Sequence, residues 1–214
     1  MKKTYAVFGL GRYGKAVVKE LVESGAEVIA VDDNEENVDE IINIVPVCKC
    51  ADVTDPEVIK QLGIENVDTV IISMAGNLES SVMATVLCKD VGVPTVIVKC
   101  ASEIHGKVLE RVGADRVVIP EKESGKRLAK NLLSSGFVDM VELSDGVSMV
   151  EIDVKADWIG KSLKELNLRK KYSVNIVALR QHDNIMTFID PDMPLAEGMK
   201  FIVIADTEKL GKLS

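Results

Sequence analysis

Residues 5–14 read YAVFGLGRYG, an apolar run that breaks into three glycines, Gly9, Gly11 and Gly14. The spacing is G-x-G-x-x-G at the end of a strand-like run and the start of a helical one. In that setting the first glycine permits a tight turn and the second lets the backbone approach a pyrophosphate. The third lets helix and strand pack closely, while helix N–H groups face the anion. The apolar stretch after Lys2 and Lys3 is too short for a secretory signal and reads as a first strand. The next strand-like run, EVIAVDD, closes on Asp32, at the separation where a carboxylate meets ribose hydroxyls. A nucleotide site is therefore expected. Asp33 adds a second carboxylate that would repel a 2′-phosphate, which argues against NADP and leaves NAD, ATP, ADP and AMP.

Outward from this loop the first 120 residues repeat one rhythm. YAVFG, EVIAVDD, VPVCKCAD, VDTVIISMAG, PTVIVKCA and DRVVIP are each followed by an amphipathic stretch such as RYGKAVVKELVESGA, EENVDEIINI or SEIHGKVLERVGA. Val- and Ile-rich runs separated by helical periodicity indicate a parallel sheet with helices on both faces. The fold class is α/β, a Rossmann-like doubly wound sheet. Gly25, Gly63, Gly92 and Gly113 fall where helices should stop, and Pro56 follows Asp55 where one should start. Beyond about residue 135 the pattern changes to a small α+β lobe. FVDMVELSDGVSMVEIDV reads as two strands around SDG, WIGKSLKELNL as a helix, VNIVALRQHDNIMTFI as a hairpin with HDN at its turn, and KFIVIA as a last strand. The expected domains are 1–135, including a connecting helix, and 136–214.

The chain has 214 residues with 26 basic and 34 acidic side chains, a formal charge of −8. That balance argues against nucleic acid and anionic lipid as partners, because phosphate neutralisation needs a surplus of Lys and Arg. No stretch approaches the roughly 20 apolar residues of a membrane span. The four cysteines, at 48, 50, 88 and 100, lack the density of a secreted disulfide framework and point to a reducing cytoplasm. C-x-C at 48–50 is not the spacing of zinc ribbons or thioredoxin-like motifs, so packed thiols are expected.

Ligands in open α/β sheets lie beyond the carboxyl edge of the strands. Those edges carry Asp52, Ala75, Gly76, Asn77, Lys99 and Glu121, for each of which a helix-cap or turn role competes with ligand contact. His105 and His182 have no Asp or Cys partner in sequence, and no Ser-His-Asp set, metal-binding histidine pair or P-loop lysine motif occurs. The small lobe offers no acid–base constellation for a dehydrogenase. Trp158, Ile159, Leu163, Leu166 and Leu168 form a core stripe at near-helical spacing. Arg169, Lys170 and Lys171 form either a solvated basic patch or an anion site. The chain reads as a binder, with an NAD-dependent oxidoreductase and a freestanding nucleotide or redox sensor as alternatives.

VFGLGRYGKAVVKEL, EVIAVDDNEENV, ADVTDPEVI, VKCASEIHGKVLERVGADRVVIPEK and KSLKELNLRKKYSVNIVALR together resemble the TrkA/KtrA family of potassium-uptake regulators, in its single-unit form. The most specific elements are Arg12 within the glycine loop and GADRVVIPEK. The resemblance implies a cytoplasmic gating subunit at the inner face of the membrane. Homodimers would close into a ring, an octamer, docked on a TrkH/KtrB-like potassium-translocating protein. It implies ATP/ADP or NAD(H) as ligand, with Gly9, Gly11 and Gly14 near the phosphates, Asp32 on the ribose, Asp52 near the base and Lys99 reaching phosphate. Arg12 would contact the terminal phosphate across a dimer interface, and Glu121 would help hold a divalent cation, Mg or Ca. In the small lobe it implies cyclic di-AMP between two copies, near Arg169, Asn175 and Ile176. Met199, Lys200 and Ala205 depart from the family's usual residues in the last strand and the loop before it.

Overall fold

The computed structural model describes residues 3–74, 76–133, 137–144 and 146–210. The chain divides into two compact units, Met1–Pro120 and Glu121–Ser214. The connecting helix, expected as part of a 1–135 domain, therefore falls with the second unit. Its side chains from Glu121 to Ala129 are all exposed.

In the first unit β1 (Thr4–Phe8), α1 (Arg12–Glu23), β2 (Glu27–Asp32), α2 (Glu35–Asp39), β3 (Val47–Cys50) and α3 (Pro56–Gln61) precede β4 (Thr69–Ile72). α4 (Leu78–Asp90), β5 (Thr95–Lys99), α5 (Glu103–Arg111) and β6 (Arg116–Val118) follow. The six strands pair in parallel in the order β3-β2-β1-β4-β5-β6. The apolar runs make this possible because successive side chains enter opposite faces. Ala6, Phe8, Val70, Ile72, Val96 and Val98 join Cys88 and Leu109 in one core, while Val7, Ile71, Val28 and Ala30 join Val18 and Ile41 in the other. The doubly wound sheet is as the sequence implies.

The helix boundaries follow local chemistry. Gly25, Gly63, Gly92 and Gly113 all have positive φ, from +67° to +114°, which side chains with a Cβ disfavour. The Asp55 carboxylate accepts the Glu57 N–H at 2.9 Å and so caps α3 directly before Pro56. One helix is shorter than its periodicity predicts. α2 stops at Asp39, and residues 40–44 continue as turns, with Ile41 N–H bonding Val38 O and Ile44 N–H bonding Ile41 O. These i→i−3 bonds alternate with i→i−4 bonds from Ile42 N–H to Val38 O and from Val45 N–H to Ile41 O, so the run is an irregular series of turns.

The second unit contains α6 (Pro120–Leu133), β7 (Phe137–Ser144), β8 (Val147–Asp153), α7 (Leu163–Leu166), α8 (Leu168–Tyr172), β9 (Asn175–Gln181), β10 (Asn184–Met186), β11 (Met199–Asp206) and α9 (Thr207–Leu210). Its sheet is antiparallel in the order β10-β9-β11-β8-β7. Val150, Ile152, Leu179, Phe201 and Val203 form the sheet side of the core, closed by Trp158, Leu168, Val174 and Leu195. The stretch WIGKSLKELNL is not one helix. A 3-10 turn at Ala156–Trp158 breaks at Gly160 (φ +81°), Ser162 and Glu165 form a reciprocal capping box that starts α7, and Asn167 turns left-handed (φ 48°) to separate α7 from α8. The helical stripe is accordingly interrupted: Trp158 and Leu168 are buried, but Ile159 is 42% exposed. On the other face of the sheet Glu151 is 8% exposed, with Arg180 Nε 3.0 Å and Lys200 Nζ 3.5 Å from its carboxylate. The Arg180 contact is an ion pair off the line of a hydrogen bond. Lys200 thus pairs with a carboxylate on the adjacent strand.

Candidate nucleotide site

The glycine loop joins β1 to α1 at the centre of the sheet, where the strand order reverses direction between β1 and β4. Such a reversal opens a crevice at the carboxyl edge. The three glycines have distinct surroundings. A Cβ on Gly9, where φ is +87°, would sit 2.9 Å from the Met74 side chain and 3.0 Å from the Ser73 backbone. A Cβ on Gly14 would sit 1.9 Å from the Gly9 carbonyl oxygen, so this glycine is required for helix and loop to touch. A Cβ on Gly11 would meet nothing within 4 Å. Gly11 is the N-cap of α1 and is exposed, with no side-chain cap. The chain itself gives no packing reason for glycine there.

Asp32 ends β2 and is 8% exposed. One carboxylate oxygen accepts the Leu10 N–H of the loop; the other accepts Asn34 N–H at 2.9 Å and the Asn37 side-chain amide at 3.1 Å. A carboxylate offers about four acceptor positions, so three are used in shaping the site and one remains for a hydroxyl. Asp32 is thus a loop clamp as well as a ribose candidate. Sequence reading missed Asn34 and Asn37, although two asparagines after the second strand's carboxylate are a signal that the turn is side-chain bonded. Lys15 further ties α1 to the α2 region, its ammonium 2.6 Å from Glu40 and 3.3 Å from Asn37.

A crevice of about 320 Å³ is lined by Gly9, Asp32, Asp33, Asp52, Thr54, Met74 and their neighbours. Gly9, Asp32, Asp33 and Asp52 are therefore brought together, with Asp33 and Asp52 exposed at the rim. The Asp52 carboxylate accepts both the Thr54 hydroxyl (2.7 Å) and the Thr54 N–H (2.9 Å), which hold its pKa below the usual carboxylate range. Thr54, Met74 and Ser80 line the crevice too and were not anticipated. Asn77 serves the backbone locally, as the N-cap of α4, where its side chain accepts the Ser80 N–H at 3.1 Å. Gly76 is exposed beside it, and Ala75 lies outside the described residues.

Two cations belong to this edge. Arg12, the first residue of α1, is exposed, and its guanidinium makes no hydrogen bond or ion pair among the described residues. Lys99 ends β5, and its ammonium lies 5.5 Å from the centroid of the Tyr13 ring, the second residue of α1. Glu121 is exposed in the first turn of α6 and begins the second unit. Among the described residues no group of three or more His, Cys, Asp or Glu is placed to hold a metal ion.

The cysteines divide. Cys88 and Cys100 are packed in the core, and burial pushes the Cys88 thiol up to about 12. Cys48 is half-buried and Cys50 exposed, its sulfur 3.6 Å from the Asp33 carbonyl, so the expectation of packed thiols fails at Cys50. That residue sits on an edge strand, which only β2 covers. His105 lies on α5 and His182 in the β9–β10 turn at φ 54°.

In the second unit Arg169, Asn175 and Ile176 line one crevice of about 820 Å³, together with Leu163, Lys164 and Asn167. The left-handed Asn167 between α7 and α8 places Arg169 beside the start of β9.

Comparison with known proteins bears on the fold and the family. The TrkA-N domain model matches residues 5–120 and the TrkA-C domain model residues 147–214. Ktr system potassium uptake protein C of Bacillus subtilis (strain 168) is 40% identical over 186 residues, covering 87% of this chain and 84% of that protein. Ktr system potassium uptake protein A of Vibrio alginolyticus is 34% identical over 208 residues, 97% of this chain and 94% of that protein. Among solved structures, a GsuK channel bound to NAD superposes with a TM-score of 0.68 at 16% identity over all of this chain and 39% of that one, a likeness of fold. Since both halves are matched in order and two potassium uptake proteins align over 84% and 94% of their lengths, the chain belongs to the TrkA/Ktr family of potassium-uptake regulators, and the oxidoreductase alternative falls.

Proposed function

We propose that this chain is the nucleotide-sensing regulatory subunit of a potassium uptake system. The observation that carries this reading is Gly11, a glycine that packing does not require, at a helix N-terminus beside a guanidinium with no partner in the described residues. An adenine nucleotide, ATP/ADP or NAD(H), fits the edge: phosphates at Gly11 and Lys99, a ribose hydroxyl on the remaining acceptor of Asp32, and the base toward Asp52. The adjacent carboxylates of Asp32 and Asp33 disfavour NADP. Arg12 responds to the terminal phosphate, reaching it across a dimer interface. A triphosphate then favours one subunit arrangement that a diphosphate does not, which is a charge-dependent switch. Mg or Ca, held by the phosphates and one carboxylate such as Glu121, would offset charge between them.

The subunit works as homodimers closing into an octameric ring, on the cytoplasmic, inner face of the membrane, against a TrkH/KtrB-like translocating partner. Family membership supports this, and no helix among the described residues is long and apolar enough to cross a membrane itself. The crevice at Arg169, Asn175 and Ile176 is the place for cyclic di-AMP; its arginine and amide suit a phosphodiester and a base edge. The test is a thermal-shift series on the full chain with ATP, ADP, NAD, NADH and cyclic di-AMP, because stabilisation follows ligand concentration over Kd. A rise with ATP or ADP, or with NADH, supports the reading and names the ligand. No rise with any of the four nucleotides for the first unit overturns it.

A further inference from the structure

We infer that Thr54 is a positioning residue that sets the base preference of the crevice: it occupies one oxygen of Asp52, and the oxygen left over accepts the 6-amino group of adenine and turns guanine away. This rests on the nucleotide-sensing reading above. The sheet edge gives the order of the ligand. Gly9 follows β1, Asp32 ends β2 and Asp52 follows β3, on neighbouring parallel strands about 4.8 Å apart, and all three residues line the same crevice. With phosphates at the β1 end and the ribose on Asp32, the base falls at the β3 end, where Asp52 and Thr54 stand.

A bare carboxylate at that place would suit guanine better than adenine. Its two oxygens match the adjacent N1–H and 2-amino donors of guanine, whereas adenine offers one amine beside an acceptor nitrogen. Asp52 is not bare. Its Oδ1 accepts both the Thr54 N–H at 2.9 Å and the Thr54 hydroxyl at 2.7 Å, which fills both acceptor positions of that oxygen. Oδ2 accepts no hydrogen bond among the described residues. Asp52 therefore presents one acceptor where an unbonded carboxylate would present two. A single anionic oxygen makes one charge-assisted hydrogen bond to an exocyclic amine. Guanine and hypoxanthine in the same pose bring a carbonyl oxygen against it, and the pose that would aim guanine's two donors at the carboxylate lacks its second oxygen.

The test is isothermal titration of the full chain with matched ligands, ATP against GTP and ITP, and NADH against its guanine and hypoxanthine analogues. The set whose adenine member binds carries the comparison. Wild type should prefer adenine over both other bases by at least about tenfold. Thr54→Val reopens one acceptor position on Oδ1 and should narrow the adenine-to-guanine ratio about threefold or more, with the gain on the guanine side. Thr54→Ser keeps the hydroxyl and should return the ratio to within about twofold of wild type. Asp52→Ala should bring the ratio near unity, and Thr54→Val added to it should leave the ratio there. A residue that only braced the loop would lower both affinities together, so an unchanged ratio in Thr54→Val overturns the inference. An equal shift with and without the Asp52 carboxylate does the same. Wild-type protein without affinity for ATP, ADP or NADH overturns the parent reading and this one with it. Measurable wild-type binding that does not distinguish adenine from guanine overturns this inference alone.

Discussion

Gly11→Ala and Gly14→Ala differ by three positions in one loop and should fail in opposite ways. At Gly14 the added methyl would lie 1.9 Å from the Gly9 carbonyl oxygen, more than about 1 Å closer than a Cβ tolerates. The obstructing atom is backbone, and the loop that carries it is fastened by Leu10 N–H to Asp32 and by Gly9 N–H to Val31 O. No rotamer can relieve the clash, so helix α1 must shift off β1. Overpacking of this type costs about 3 kcal/mol, and in a unit of this size that lowers Tm by about 10 °C. At Gly11 the methyl meets nothing within 4 Å. Its φ of −65° is open to any residue. Exchanging glycine for alanine at an N-cap costs some cap propensity and gains chain stiffness, so stability should stay within about 1 kcal/mol of wild type. The same methyl occupies the approach to the helix N-terminus, and nucleotide affinity should fall at least about tenfold. Chemical denaturation and isothermal titration, run on both variants, give the comparison. A Gly11→Ala protein that is stable and binds ATP, ADP and NADH as the wild type does would refute the placement of phosphates at this loop.

Three other outcomes follow from single contacts. Asp32→Ala should destabilise the first unit by about 2–3 kcal/mol, because it strips the carboxylate from Leu10 N–H, Asn34 N–H and the Asn37 amide at a buried site, as denaturant titration would show. Thr54→Val should raise the Asp52 pKa toward the usual carboxylate range, read by carboxyl-carbon NMR, since the Thr54 hydroxyl is the chief group depressing it. The sign follows: a depressed carboxyl contributes stability above its unfolded pKa and loses it as the pH falls through the folded value, so the pH-dependent part of the stability difference between Thr54→Val and wild type should vanish in strong acid. At pH 8 a maleimide should label Cys50 and spare Cys88, whose thiol, pushed up to about 12, is ionised in roughly one molecule in 10⁴; labelling of folded protein at Cys88 would contradict its burial.

The parallel sheet was legible in the sequence because its signals are local. Val- and Ile-rich runs pack on both faces, and the helix stops at Gly25, Gly63, Gly92 and Gly113 depend on a single backbone angle that favours glycine. That Gly9, Asp32, Asp33 and Asp52 would line one crevice was legible for the same reason: each falls at or just after a strand end, and the fold brings strand ends together. What escaped depends on contacts across the sequence. Asp32 clamping Leu10 and Asn37 joins β2 to two other segments, and the placement of Lys99 over Tyr13 joins β5 to α1. Periodicity cannot report either. The second lobe shows a different limit. The capping box Ser162–Glu165 was present in the sequence as S-x-x-E, but Trp158, Leu163 and Leu166 fit a helical stripe well enough to hide the break at Gly160 and the left-handed turn at Asn167. Leucines at i and i+3 fit a continuous helix and two short ones equally.

If Arg12 reads the number of phosphates at the glycine loop, the ratio of ATP to ADP affinity must depend on its guanidinium. Isothermal titration of the full chain, in wild type and in Arg12→Ala, measures that ratio. A charge-assisted contact to the terminal phosphate predicts that Arg12→Ala lowers ATP affinity about tenfold to a hundredfold while ADP stays within about threefold, so that the ratio collapses toward unity. A ratio that is unchanged in Arg12→Ala, with both nucleotides bound, would contradict it.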